Sequence, residues 1–309
     1  MLGINYLNRL NQLLAQSYPS SGWTDKKTSF DIIYEATKDF AKKTSCLYGT
    51  QTITTVANQA NYALNPDFTE VYVENEDDAV KAIKYTNNAS VDFWLEQQFY
   101  SSQYYANNTT SVLTPSNFAI ISKPALDRIT GTVTSTAAES SGESNLIDTT
   151  ANFTNVSVGD DVYNSTQGYI GIVLSKTGTT QLVTAMFNVS NTTSNYSGWT
   201  SSDGYVIQPA PRYQIYIDPP PSTTGHTITV PYIQKPSPVY SDIGSYNLMA
   251  EAEEAILKYA AWLYKYRDSQ PNVGDAYYQY YDKAVRESKN LHGRATGNRK
   301  FRMSWKKSG

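Results

Sequence analysis

The pattern of hydrophobic and polar positions has a helical period at both ends of the chain and a strand period between them. Near the C-terminal end, apolar residues recur every three or four positions, which predicts two helices within residues 247–291. Pro271 separates them, because proline has no amide donor to extend the first helix but can begin the second. Two amphipathic helices with so short a link are expected to lie antiparallel. The residues predicted to form the core of this hairpin are Ala255, Ile256, Tyr259, Leu263, Tyr277, Tyr280 and Tyr281.

The N-terminal end carries the other helical pattern. One helix is predicted over residues 4–14 and a second over residues 24–43, with Thr24 or Asp25 as its cap. The apolar stripe of each helix needs a partner to bury it, and the strongly helical segments lie only at the two ends of the chain. The sequence therefore predicts that the N- and C-terminal helices pack together as one helical bundle.

Between the helical ends the hydrophobic period changes to two, which is typical of strands. Strands are predicted at residues 50–56, 61–64 and 68–73, while residues 79–85 fit either a strand or a helix. Residues 90–100 have helical spacing and are predicted as a helix.

Two later segments are predicted as neighbouring strands although they are far apart in sequence. These are residues 118–121 and 213–217. The second of them is followed by a proline-rich turn and a further alternating strand at residues 227–233, which is read as its hairpin partner.

The composition shifts at about residue 127 to Thr, Ser, Asn and Gly, with short strands separated by Gly and Asp turns. This pattern favours a small β-barrel or sandwich inserted into a loop of the body. The predicted fold class is therefore α+β: a helical bundle of N- and C-terminal helices, an antiparallel β region and an inserted small β-barrel domain. The predicted division is residues 1–126 and 209–293 for the body, 127–208 for the insert and 294–309 for a basic tail.

Charged residues make up 17% of the chain, well under the roughly 25% of average proteins, and tyrosine occurs 26 times. Tyrosine offers a large contact area and a hydroxyl that tolerates water, so it is enriched at protein interfaces. A tyrosine-rich core is the alternative explanation, and composition does not separate the two.

Motifs for catalysis and metal binding are missing from the sequence. Cys46 is the single cysteine, and His226 and His292 are far apart, so neither a disulfide nor a zinc site is expected. The sequence has no nucleophile elbow, P-loop or dinucleotide fingerprint, and we expect no enzymatic activity and no cofactor. The adjacent Asp160 and Asp161 fit either a calcium ligand pair or a solvated turn. A signal peptide and a membrane-spanning apolar stretch are not expected either.

The charge distribution singles out the C-terminal tail. Residues 286–309 hold eight basic residues and one acidic residue, which leaves 17 basic and 27 acidic residues, a balance of −10, in the remainder. Three interpretations stay open for the tail: binding of nucleic acid, docking on an acidic protein partner, and a frayed solvated end. Its interleaved basic and aromatic residues are Arg294, Arg299, Lys300, Phe301, Arg302, Trp305, Lys306 and Lys307.

The order of these segments resembles that of the head-to-tail adaptor proteins of short-tailed bacteriophages, also called tail tubular or head completion proteins. The insert contains Leu146-Ile147-Asp148, Ala151-Asn152-Phe153-Thr154, Val158-Gly159-Asp160 and Val162-Tyr163, and through these motifs it resembles the small β domains that recur in phage structural proteins. The likeness covers about residues 1–125 and 209–292, and the insert departs from it. The segments that carry it are Arg212–Asp218 with Pro219-Pro220 after it, residues 227–233 with Pro236-Ser237-Pro238 after them, Tyr259-Ala260, Leu263, Tyr266-Arg267-Asp268 and Tyr277-Tyr278-Gln279-Tyr280-Tyr281.

The resemblance implies a non-enzymatic ring, typically of twelve copies, that docks under the portal protein and surrounds the DNA channel. DNA would pass through without specific binding, a downstream tail or nozzle protein would attach below, and no membrane would be involved. The chain would be assembled in the host cytoplasm and lie at the head-tail junction of the virion. The tail from Arg294 to Lys307 would dock on the portal. The alternative function is a host-surface or glycan-binding tail module acting through the inserted β domain.

Overall fold

The computed structural model describes residues 1–14, 26–72, 83–97, 114–123, 126–188, 196–246, 248, 250–267 and 271–295. Within these ranges the protein is mostly β, with two eight-stranded sheets and four helices. The predicted α+β helical-bundle fold class is therefore wrong.

The four helices come from the two ends of the chain: α1 (Gly3–Leu14), α2 (Lys26–Thr44), α3 (Ala250–Arg267) and α4 (Pro271–Ala295). Helix α4 begins at Pro271, where the sequence predicts the second helix of the hairpin. The buried residues of α1 recur at helical spacing along one face, which explains why this segment folds as an amphipathic helix. They include Tyr6, Leu7, Leu10 and Leu14.

The core beneath the helices shows why they are not an independent bundle. Helical residues there pack against Val239 and Tyr240, which precede α3 in the chain, and against Ile172, Ala185 and Phe187, which lie in the second sheet. The helices thus form a layer that shares its core with a β-sheet. Helical periodicity identifies the buried stripe of each helix, but it does not reveal what the stripe packs against.

The first sheet has the strand order β1-β16-β4-β5-β6-β15-β2, with β3 beside β16. Its strands β5 and β6 are parallel, and all other pairs in it are antiparallel. The strands are β1 (Tyr48–Thr54), β2 (Asn61–Ala63), β3 (Phe68–Val71), β4 (Ile83–Thr86), β5 (Asp92–Gln97), β6 (Asn117–Lys123), β15 (Arg212–Asp218) and β16 (Thr227–Gln234).

Two predictions for this sheet have opposite outcomes. Strands β6 and β15 pair in register from Asn117 opposite Asp218 to Lys123 opposite Arg212, so the predicted long-range neighbours are confirmed. The predicted hairpin of β15 with β16 is wrong, because β4, β5 and β6 lie between them.

The predicted helix at residues 90–100 is also wrong where the structure describes it, because residues 92–97 form β5. The turn before this strand explains the difference. The Asn87 Oδ1 accepts hydrogen bonds from the amides of Ala89 and Val91, at 3.0 Å each, and Ser90 has a φ of 58°. This side-chain turn joins β4 to β5 as a hairpin and outweighs the helical spacing of the apolar residues.

The second sheet has the order β7-β14-β10-β11-β12-β9-β8, with β13 beside β12. All its strands come from residues 129–208, and it has its own core around Phe153, Val173 and Ile207. Whether this part is a separate domain, as predicted, stays a prediction. Its strands are β7 (Ile129–Thr132), β8 (Ser135–Ser140), β9 (Glu143–Ile147), β10 (Asp161–Asn164), β11 (Tyr169–Lys176), β12 (Gln181–Phe187), β13 (Tyr196–Ser197) and β14 (Gly204–Gln208).

The second sheet curls on itself because its two end strands are consecutive in sequence. Val133 and Thr134 join β7 to β8. The Val133 amide donates to the Asp203 carbonyl at 2.9 Å, and the Thr134 amide donates to the Ile147 carbonyl at 2.8 Å. The chain therefore changes partner between these two residues, from the β14 side to the β9 side.

Candidate assembly surface

The α3–α4 hairpin carries the predicted core residues, and the structure divides them into three classes. Ala255, Ile256 and Tyr281 are buried, with at most 2% of each exposed. Tyr259, Leu263 and Tyr277 are partly buried. Tyr280 is 65% exposed, so its assignment to the core is wrong.

Helical geometry explains why neighbouring tyrosines of α4 lie on two different sides of the α3–α4 hairpin. Successive residues of a helix are about 100° apart, so the rings of Tyr277 and Tyr278 leave α4 in different directions. The Tyr277 hydroxyl donates to the carbonyl of Leu13 in α1 at 3.0 Å. Tyr278 instead lies near Lys43 of α2. The hairpin therefore has an α1-side flank and an α2-side flank.

The α1-side flank consists of Lys258, Tyr277 and Tyr280. The Lys258 Nζ lies 5.4 Å from the ring centroid of Tyr277 and 5.8 Å from that of Tyr280. The same Nζ is 3.2 Å from a Glu254 carboxylate oxygen. Cation–π attraction at this range is worth roughly 0.5–1 kcal/mol at exposed sites, so it helps to hold an otherwise exposed Tyr280 ring in place.

The α2-side flank consists of Tyr259, Trp262, Tyr266 and Tyr278. The Trp262 ring is central: its centroid is 5.0 Å from that of Tyr259, 4.9 Å from that of Tyr278 and 5.7 Å from that of Tyr266. These are favourable separations for aromatic pairs. Tyr266 is 58% exposed and forms the outer end of the cluster.

Lys43 and Asp39 of α2 form an ion pair next to this cluster. The Lys43 Nζ is 2.7 Å from a carboxylate oxygen of Asp39 and 6.0 Å from the ring centroid of Tyr278. Burial disfavours the charged ammonium, but the hydrogen bond and the charge of Asp39 outweigh it and raise the pKa of Lys43. Burial, together with the hydrogen bond that its hydroxyl donates to Asp39, raises the pKa of Tyr281. At neutral pH the lysine is therefore charged and the tyrosine is a neutral donor.

The described tyrosines occur both in the buried cores and at exposed positions. Tyr6, Tyr85, Tyr205 and Tyr232 are at most 2% exposed and belong to the cores. Among the described residues outside the hairpin, the exposed large aromatic side chains are Tyr48, Trp94, Tyr163 and Tyr213.

The remaining candidate residues lie elsewhere. Arg294 falls within α4, and the other predicted tail residues, Arg299, Lys300, Phe301, Arg302, Trp305, Lys306 and Lys307, lie outside the described residues. Asp160 is 2% exposed, and its carboxylate accepts hydrogen bonds from the amides of Ser157 at 2.8 Å and Ala210 at 3.0 Å. In the described ranges, no group of three or more His, Cys, Asp or Glu residues is arranged to hold a metal ion.

Sequence reasoning missed the residues that make the two flanks different. Trp262 and Tyr278 have the i,i+3 and i,i+4 spacing to Tyr259, Tyr266 and Tyr281 that would place aromatic residues together on each helix. Lys43 comes from the other end of the chain, and no local pattern connects it to the hairpin.

None of the described helices is long and apolar enough to cross a membrane. No family model matches the chain, and no curated protein matches it significantly.

Proposed function

We propose that this protein is a non-enzymatic structural protein of a short-tailed bacteriophage virion, in which copies form a ring that joins the portal to the tail around the DNA channel. The observation that carries the proposal is the pair of unlike aromatic flanks on the α3–α4 hairpin. A closed ring needs two different contact patches on each copy, whereas a two-fold dimer needs only one. Binding of the α1-side flank of one copy to the α2-side flank of the next meets this requirement.

The chemistry of the flanks suits a contact between copies. Exposed Tyr and Trp side chains dominate the energetics of protein interfaces and are common among residues whose loss costs more than 2 kcal/mol. The contacts to Lys43, Lys258 and the Leu13 carbonyl already restrain these rings, so less side-chain entropy is lost when copies associate.

The charge distribution supports the remaining parts of the proposal. An acidic body around a DNA channel repels phosphate and lets the genome pass without binding it. A basic, aromatic tail from Arg294 to Lys307 is suited to dock on an acidic surface of the portal protein and to become ordered there.

A mixing experiment tests the ring. We expect mass photometry and negative-stain images of the wild-type chain to show one closed oligomer. Tyr280→Ser on the α1-side flank and Tyr266→Ser on the α2-side flank should each give monomers, because each removes one of the two patches. An equimolar mixture should give dimers of one copy of each variant and no rings, since only one compatible pair of patches remains.

The matched control is Tyr163→Ser, an exposed tyrosine of the second sheet that should leave the ring intact. A ring that survives both flank substitutions would refute the assignment of the contact. A mixture in which the two variants do not pair would also contradict it, because the flank left intact on one variant should bind the flank left intact on the other.

A truncation tests portal docking separately. Removal of residues 294–309 should leave the ring intact and abolish its co-sedimentation with purified portal protein of the same virion. Substitution of Phe301 and Trp305 by Ser, with all basic residues kept, should weaken binding if these aromatic residues are the anchors. Undiminished portal binding by the truncated chain would count against a docking tail.

A further inference from the structure

The second sheet has a cleft of about 730 Å³ at the place where its curled wall is incomplete. Strand β7 pairs with β14 on one side only, and the chain changes to pairing with β9 after Val133. On its other side β7 faces the segment Asp148–Asn152, which follows β9 and lies across the cleft. The gap is therefore a consequence of the strand order and is not a surface irregularity. Its volume is within the range of small-molecule binding sites, roughly 300–1,000 Å³.

Hydroxyl and amide groups line both walls of this cleft. Thr130 and Thr132 are exposed on the outer face of β7, opposite the face on which Gly131 lies, and they contribute to the rim of the cleft. Ser201 and Ser202 are exposed and also line the cleft. Asn152 stands on the opposite wall. Its Oδ1 accepts hydrogen bonds from Thr154, and within the described part of the chain its Nδ2 donates to no partner.

The floor of the cleft contains the Asp148 carboxylate, which is held in place by hydrogen bonds from neutral donors. The Asp148 Oδ1 accepts from the Thr150 amide at 2.9 Å and its hydroxyl at 2.7 Å, and the Oδ2 accepts from the Tyr205 hydroxyl at 2.8 Å. Both carboxylate oxygens are thus occupied by the protein itself. Gly131 lies against this pair, and a Cβ there would be 2.7 Å from the Asp148 Oδ2, so the floor requires glycine.

This lining selects for one class of ligand. Of the described residues that line the cleft, none is Lys, Arg or His, so an anionic ligand would find no counter-charge. A neutral polyhydroxyl compound matches hydroxyl groups that both donate and accept. The partly buried Ile129 and Ala151 provide an apolar patch for the C–H face of a sugar ring. We propose that this cleft binds a neutral oligosaccharide.

An extended peptide is the competing ligand, because β7 offers an unpaired edge to which a strand could add. The observations favour the oligosaccharide. Strand β7 is only four residues long, and the wall opposite it is a turn whose backbone amides at Thr150 and Ala151 bond to Asp148. An added strand would therefore be paired on one side only.

The full-length chain can be tested on an array of neutral and sialylated oligosaccharides, followed by calorimetry with the neutral glycan that binds best. Thr132→Trp and Ser201→Trp each place a large side chain at the rim of the cleft from an exposed position. The matched control is Thr177→Trp, an exposed threonine between β11 and β12 and outside the cleft. Thermal unfolding verifies that all three variants are folded.

We expect binding of at least one neutral glycan, a loss of about tenfold or more in affinity for the two cleft variants, and an unchanged affinity for the control. Bound glycan should also slow amide hydrogen exchange in residues 129–134 and 148–152. Absence of neutral glycan binding, equal binding by the cleft variants, or binding of sialylated glycans alone would overturn the proposal. Binding of extended peptides that is sensitive to Thr132→Trp, without glycan binding, would assign the cleft to strand addition instead. None of the described residues that line the cleft belongs to the hairpin flanks, so these outcomes are distinct from those of the ring experiment.

Discussion

Replacing Phe187 by alanine tests whether the helices and the second sheet share one core. Phe187 belongs to β12 and is 1% exposed, and its ring centroid is 5.4 Å from that of Tyr196 and 6.2 Å from that of Tyr240. Truncation of a buried Phe loses the transfer free energy of its ring and leaves a cavity, which together cost about 3–5 kcal/mol. Because folded proteins are stable by roughly 5–15 kcal/mol, this is a large part of the total.

The segments that Phe187→Ala destabilises are more informative than the size of the loss in free energy of unfolding. If the core is shared, Phe187→Ala should accelerate amide hydrogen exchange in α2 and α3 as well as in β11 and β12. Urea unfolding measures the loss in free energy, and exchange followed by mass spectrometry maps it along the chain. Tyr163→Ala is the control: this residue of the same sheet is 43% exposed, and its loss should cost within about 0.5 kcal/mol.

One result would refute this reasoning. If exchange accelerates only within residues 129–208 while α2 and α3 keep wild-type protection, the helices have a sufficient core of their own. The predicted independent bundle would then describe the energetics better than the shared cluster does. A loss below about 1 kcal/mol would also contradict the burial of Phe187 in a packed core.

Two further substitutions test local features. Burial disfavours the charged form of the Asp148 carboxylate, but hydrogen bonds from Thr150 and Tyr205 outweigh this effect and lower the pKa of Asp148. These hydrogen bonds therefore stabilise the fold above about pH 4. Their contribution is lost as the pH falls through the lowered pKa. Asp148→Asn should lower the free energy of unfolding by about 1–3 kcal/mol at pH 7, and below pH 4 its stability should fall less steeply with pH than that of the wild type. Urea unfolding at a series of pH values measures both effects. An equal dependence of stability on pH in the two proteins would contradict this reasoning. Gly3→Ala should destabilise the protein by about 1–3 kcal/mol in thermal unfolding, because its Cβ would collide with the Ser241 carbonyl oxygen where α1 begins, whereas Asn5→Ala on the exposed side of α1 should change little. An unchanged melting temperature for Gly3→Ala would show that the contact of α1 with residues 241–244 is loose.

The features that could be predicted from the sequence are those fixed by local chemistry. Proline at position 271 can begin a helix but cannot continue one, and α4 begins there. Strands β6 and β15 were predicted as neighbours because they flank the shift in composition, and they pair along seven residues each. In the first case the signal is the proline at which the helix begins, and in the second it is the composition of the segment between the two strands.

The errors concern features that depend on distant partners. The alternation of β15 and β16 is the same whichever strands they pair with, so it does not reveal that three strands from earlier in the chain lie between them. The apolar spacing of residues 91, 94, 95 and 99 matches a helix, yet pairing with β4 and β6 makes residues 92–97 a strand. Tertiary pairing overrides a short periodic pattern in such segments.

The sequence pattern is also insufficient to predict the burial of single residues in the candidate site. Tyr280 and Tyr281 are adjacent in a stripe wide enough to include both, but α3 covers only one side of it. Tyr281 is therefore 1% exposed and Tyr280 is 65% exposed. Lys43, which lies next to the α2-side flank, belongs to α2, more than two hundred residues earlier in the chain. No sequence pattern within the hairpin predicts this contact.

The use of tyrosine on the hairpin connects the low charge of the chain with the proposed assembly. A leucine or phenylalanine surface of this extent would bind copies non-specifically before a ring could close. Each flank also contains an ion pair beside its rings, Lys258 with Glu254 on one flank and Lys43 with Asp39 on the other. In the proposed ring, a contact in which each lysine meets a ring or a carboxylate of the neighbouring copy would be more favourable than one that brings the two lysines together, and Glu254 beside Lys258 supplies such a carboxylate. In this proposal the tyrosine hydroxyls keep the free chain hydrated, and such a contact would make one orientation of the neighbouring copy more favourable than the others.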